Sequence, residues 1–152
     1  MNATKRPLIF GAAMLALGAG AAASPAQAQQ KTIKIGFIST FSGPAAAIGN
    51  DMRNSFELGL DHLGRKLGGL PVEVIYEDDQ IKPEVGVQKT QKLIESDHVD
   101  FVVGYIWSNV LVASLKPLVD SKTVTIVTNA GASQLAGPLC SLYVFSTSWQ
   151  ND

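Results

Sequence analysis

At 152 residues, 46% hydrophobic and 16% charged, the chain suits one globular unit. Its 12 basic and 13 acidic residues leave a net charge of −1 with no basic cluster. That argues against nucleic acid and anionic lipid as partners.

The first segment in chain order is not part of that unit. Lys5 and Arg6 precede a charge-free stretch, 7–30, rich in Leu8, Ile9, Phe10, Met14, Leu15, Leu17 and alanine, which ends Ser24-Pro25-Ala26-Gln27-Ala28. Basic head, apolar middle and an A-x-A end are the layout of a secretory signal peptide, with cleavage after Ala28. A transmembrane anchor is the rival reading, but the apolar core from Leu8 to Ala23 falls short of the roughly 18–20 residues needed to span. Residues 1–28 are therefore expected to be a signal and 29–152 the mature, periplasmic chain. Removal of the signal turns 12 basic residues into 10 against 13 acidic ones, a net charge of −3. In an oxidising compartment the single Cys140 cannot form an internal disulfide. It is either a buried thiol or the partner of a residue beyond 152.

Strands and helices then alternate. Residues 31–40 read as a strand, with Ile33, Ile35 and Phe37 on one face and Ile38 opposite. A small-residue loop, 42–49, leads to a helix expected over 50–67, with Phe56, Leu60, Leu63 and Leu67 at helical spacing and Gly68-Gly69 as its stop. Residues 71–76 form a second strand, and Pro83 opens a second helix whose inner face is Val87, Thr90 and Ile94. A third strand at 101–103, a third helix at 109–119, a fourth strand at 124–128 and a short one at 143–145 complete the series. Pro117 is expected to kink the third helix or end it early. Short, nearly continuous apolar strands between helices imply an α/β fold, a parallel sheet covered on both faces.

In such sheets ligands bind beyond the carboxyl ends of the strands. The loop STFSGPAAAIGN spaces Gly43 and Gly49 one residue too widely for a phosphate loop and has Asn50 where lysine belongs; a G-x-G-x-x-G fingerprint is also missing. Glu77-Asp78-Asp79 reads as a solvated, capping acidic turn, since His62 and His98 stand too far off to complete a metal or acid–base site. With no nucleophile motif either, no catalytic residue, metal or cofactor is expected. Two loops carry the signal. Ser108 starts the third helix, where its hydroxyl and the free N–H groups can cap the helix, meet a carboxylate, or do both. Trp107 offers an apolar wall beside it. The loop NAGASQLAG is nearly free of bulk, so its backbone can touch a ligand.

The stretches KIGFISTFSGPAAAIGNDMRNSFELGLD, VEVIYEDDQIKPEVGVQKTQKLIESDHVDFVVG and TIVTNAGASQLAG resemble the type I periplasmic solute-binding proteins, above all the branched-chain amino acid (Leu/Ile/Val) receptors of ABC importers. The resemblance runs from Lys31 to Asp152. It rests on S-G-P after the first strand, E-D-D-x-x-x-P after the second and G-x-x-x-S after the third. It implies one Rossmann-like lobe of a two-lobe fold that closes on its ligand. It also implies that Ser108, Asn109 and the backbone of Ala130, Gly131 and Ala132 hold the ligand, with Ser42 and Gly43 at the cleft border. The family often has threonine where Ala132 stands; that departure, with Trp107 as a wall, points to a ligand with an aromatic or bulky apolar part. The implied function is capture of an amino acid or small organic acid for an ABC permease in the inner membrane. A ligand-sensing regulatory domain on the same fold is an alternative, and an α/β enzyme a weaker one. Family members run to more than twice this length, so the sequence reads as a signal and most of one lobe, from a fragment or a truncated gene.

Overall fold

A computed structural model describes residues 31–150; the signal expected at 1–28 lies outside the described residues. Alternating apolar residues make β1 (Ile33–Ser39), and burial of both its faces puts it in the middle of the sheet. It pairs in parallel with β3 (Leu70–Asp78) on one side and β4 (Phe101–Gly104) on the other, Ile35 lying opposite both Val74 and Phe101. Among the described residues the strand order is β2-β3-β1-β4-β5-β6, with β2 at Lys66–Leu67, β5 at Val124–Val127 and β6 at Val144–Ser146. All pairs are parallel except the β2–β3 hairpin. The α/β expectation holds, with an antiparallel edge added.

Helices α2 (Pro83–Gln91) and α3 (Ser108–Asp120) share one face, where Ile38, Leu93, Val102, Val110, Leu111 and Leu118 form the larger core. The two helices approach closely at Gly86, where a Cβ would come within 2.4 Å of Val110 Cγ1. Helix α1 (Ala46–His62) covers the other face with Met52 and Phe56 against Ile35, Phe37 and Val103.

The first helix is displaced from the expected 50–67. It starts earlier because a 3-10 turn at Gly43–Ala45, opened by Pro44, leads straight into it. It ends earlier because Gly64 and Arg65 turn left-handed, at φ 61° and 53°. Leu63 is consequently 58% exposed rather than on an inner face, and Leu67 reaches the core from β2. Gly68 and Gly69 make the β2–β3 turn instead of a helix stop. Pro117 does not shorten α3, since Ser121 N–H still donates to the Pro117 carbonyl. Its missing N–H would have faced the carbonyl of Ala113, an exposed residue where water can substitute. In α2 the buried positions are Gly86 and Thr90, followed by Leu93 in a π-turn at Lys92–Ser96; Val87 and Ile94 are half-buried.

Candidate functional site

Because β1, β3, β4, β5 and β6 run parallel, their carboxyl ends share one edge of the sheet. The segment GYIWSN crosses that edge at its centre. Gly104 has φ 123°, and a Cβ there would lie 2.1 Å from the Ile38 carbonyl oxygen, so only glycine lets β4 end against β1. Tyr105 follows in a left-handed conformation, φ 65°, and turns fully inward. Its hydroxyl lies 2.7 Å from Thr90 Oγ1, and burial pushes its pKa well above the ordinary tyrosine value. Ile106 is buried as well. The two aromatics of the segment therefore do different work: Tyr105 is core, and the half-buried Trp107 remains at the edge.

Trp107 occupies the residue before α3, and Ser108 is the first helical residue rather than its cap. Trp107 is extended (φ −104°, ψ 129°) and stands at the cap position, so the helix starts at Ser108, one residue earlier than the expected 109. Asn109 is exposed in the first turn.

Backbone hydrogen bonds prolong the sheet register into the loops. Tyr105 N–H donates to Ile38 O at 2.8 Å, Thr128 N–H to Gly104 O at 3.0 Å, and Ala130 N–H to Tyr105 O at 2.9 Å. They bring the loop after β5 alongside the start of α3, so Ala130 is near Trp107 and Ser108 by construction. Ala130, Gly131 and Ala132 are buried, and the Ala130 N–H is already engaged, so the sequence expectation of a free backbone there is corrected at that amide. Gly131 and Ala132 line a recess of about 180 Å³ with Ser146, Ser148 and Trp149. A larger recess, about 520 Å³, lies on the α1 side between Phe37, Ile48, Met52 and Asn129. Ser42, Gly43, Trp107, Ser108, Asn109 and Ala130 line neither.

The acidic turn is not solvated. Glu77 and Asp79 are buried, Glu77 at 7% exposure. Glu77 is paired with Lys89 Nζ at 2.7 Å and Lys92 Nζ at 2.8 Å; burial opposes its ionisation, but the two ammonium groups prevail and hold its pKa below the ordinary carboxylate value. Asp78 is likewise held low against burial, by the Ser42 hydroxyl and by the N–H groups of Phe41, Gln80 and Ser42. Ser42 is exposed and Gly43 adopts φ 70°, and this carboxylate fixes the loop that carries them. Asp79 Oδ1 accepts from Thr40 Oγ1 at 2.5 Å and from Ile81 N–H at 3.0 Å. Thr40 Oγ1 in turn accepts from Trp107 Nε1 at 3.1 Å. Sequence reasoning missed Thr40 and Asp79, although their positions just past the ends of β1 and β3 marked them.

Among the described residues no group of three or more His, Cys, Asp or Glu is placed to hold a metal ion. His62 and His98 are exposed, as is Cys140, which overturns the buried-thiol reading of that residue.

A family profile described as periplasmic binding protein matches residues 32–152. The Leu/Ile/Val-binding protein homolog 6 of Brucella abortus is 31% identical over 133 residues, covering 85% of this chain and 33% of its own length. An ABC transporter substrate-binding protein from Sphaerobacter thermophilus superposes with a TM-score of 0.77 at 39% identity, over 80% of this chain and 33% of that one. A solute-binding protein of an ABC transporter from R. palustris, solved in complex with benzoate, superposes at 0.76 with 32% identity, over 79% of this chain and 33% of that one. The chain spans about a third of the length of these relatives.

Proposed function

Because the chain belongs to the periplasmic binding protein family, we propose that it is the first ligand-binding lobe of an exported, non-enzymatic receptor that captures a small carboxylate and delivers it to an ABC permease. The observation that carries this reading is the junction at the sheet edge. The amino end of α3, with Ser108 in its first turn and Trp107 just before it, stands beside the loop at 128–132. A helix start presents unpaired N–H groups and a partial positive charge, which suit a carboxylate. An indole alongside suits an apolar or aromatic body. The relatives fit that division: one is named for leucine, isoleucine and valine and another holds benzoate, ligands that share a carboxylate and differ in the apolar part. Ser108, Asn109 and the backbone of Gly131 and Ala132 take the polar end, Trp107 the apolar end, Ala130 holds the loop in place through its bond to Tyr105, and Ser42 and Gly43 border the cleft. A second lobe would supply the opposing contacts, and closure would favour the liganded state.

The test is calorimetric titration with benzoate, 4-hydroxybenzoate and isoleucine, on this lobe joined to the second lobe of the Sphaerobacter thermophilus relative. Binding of at least one carboxylate, lost when the acid is replaced by its amide, is expected. Equal binding of acid and amide would remove the role given to the α3 start.

A further inference from the structure

The chain of contacts behind Trp107 has only one possible polarity. An indole N–H can only donate, and Asp79 Oδ1 already accepts from Ile81 N–H. The Thr40 hydroxyl between them must therefore donate to Asp79 Oδ1 (2.5 Å) and accept from Trp107 Nε1 (3.1 Å). Thr40 and Asp79 are both fully buried, so water does not compete for the bond between them, and the indole bond to Thr40 is partly shielded. Asp79 is itself held by Ile81 N–H at 3.0 Å, and Thr40 follows β1 directly. The indole is thus tied through one hydroxyl to the ends of two neighbouring strands, β1 and β3. Bonds arranged head to tail strengthen one another. A bare tryptophan at a helix start would be free to change rotamer; this one is pinned at its Nε1 edge.

We infer that Thr40 and Asp79 are positioning residues that lock the Trp107 ring in one orientation, so that the site prefers a flat ring over a branched aliphatic chain. The preference part rests on Trp107 being the pocket wall proposed above; the locking part does not. A rigid planar wall gains full contact with a planar ligand at no cost in rotamer freedom, whereas a mobile one would adapt to either shape.

The experiment uses the purified chain and its indole N–H signals, of which two tryptophans give two; Trp107→Phe assigns the one of interest. The Trp107 Nε1–H should exchange with deuterium at least about tenfold more slowly than a free indole, because exchange requires the bond to open. Thr40→Val keeps shape and burial but removes the acceptor, and should abolish the protection; Thr40→Ser should retain it. Asp79→Asn, which keeps one acceptor oxygen and replaces the other with a donor, should fall between the two. Free exchange in the unmodified chain would overturn the proposal without any variant having to fold. So would protection that survives Thr40→Val, and Asp79→Asn matching the unmodified chain would remove Asp79 from it. Benzoate and isoleucine are then titrated while the same signal is followed, which reads weak binding directly. Thr40→Val should weaken benzoate about threefold to tenfold, the value of one neutral hydrogen bond, and isoleucine by less than about twofold. Equal loss for both would overturn the preference. Protection with no response to either probe would leave the lock standing and remove the ligand reading instead.

Discussion

At the scale of single residues, GYIWSN divides its labour sharply. Gly104→Ala would force a Cβ to within 2.1 Å of a backbone carbonyl at φ 123°, so a loss of more than about 3 kcal/mol in denaturant unfolding is expected. Trp107 packs against the larger core while remaining half-exposed, so Trp107→Ala should cost about 2 kcal/mol, below the 3–5 of a fully buried ring. In a two-lobe version, Trp107→Ala should weaken ring-bearing ligands much more than aliphatic ones; thermal unfolding beside titration separates the two effects. Ser108→Ala should cost no more than about 1 kcal/mol of stability, the value of one neutral hydrogen bond, since Trp107 and not Ser108 stands at the cap position of α3. If that hydroxyl meets a carboxylate, affinity should fall tenfold to a hundredfold, the value of a charge-assisted bond of about 1.5–3 kcal/mol. A large loss of stability with unchanged affinity would place the site elsewhere.

Among elements, the acidic carboxyl end of β3 is the one whose character changed most between sequence and structure. Three consecutive acids look solvated in one dimension. Folding sets two lysines of the α2 region over Glu77 and turns Asp78 and Asp79 onto the loop after β1. Glu77 and Asp78 both have depressed pKa values, so their contribution is present above the unfolded values, 4.5 and 3.8, and is lost as pH falls through the lower folded ones. Acid unfolding should therefore steepen below about pH 4.5. Glu77→Gln should remove about 1–2 kcal/mol near pH 7, the lysines being exposed enough to rehydrate, and should flatten that slope. Urea titrations across pH 3–7 check both. The alternation of elements, the face of Ile33, Ile35 and Phe37, and the placement of candidate residues at one sheet edge were all legible in periodicity and turn chemistry. The limits of α1 were not: Gly49 reads as a loop residue until the close approach of the Thr40 carbonyl, 1.9 Å from where its Cβ would be, explains it inside a helix. Nor could periodicity reveal that Tyr105 is core and Trp107 edge, since left-handed φ at a non-glycine residue leaves no pattern.

For the whole molecule, the edge loops and the α1 side stay incompletely covered, with Trp149 after β6 at 65% exposure and Leu58 on α1 at 57%. Pockets that bind small ligands well bury 70–90% of them, and one lobe can supply only about half. Residues 29–152 alone are therefore expected to bind carboxylates more weakly than micromolar, and tighter binding by calorimetry would reject the two-lobe account. The order β2-β3-β1-β4-β5-β6 has a further consequence, in time rather than space. The strand made first lies innermost, and Ile35 must wait for both Val74 and Phe101 before its two neighbours exist. Contacts so distant along the chain close slowly. A nascent chain with this topology has no stable sheet to offer until most of it has been synthesised, which, for the exported receptor proposed above, gives a translocation machine that threads only unfolded polypeptide a long interval in which to act.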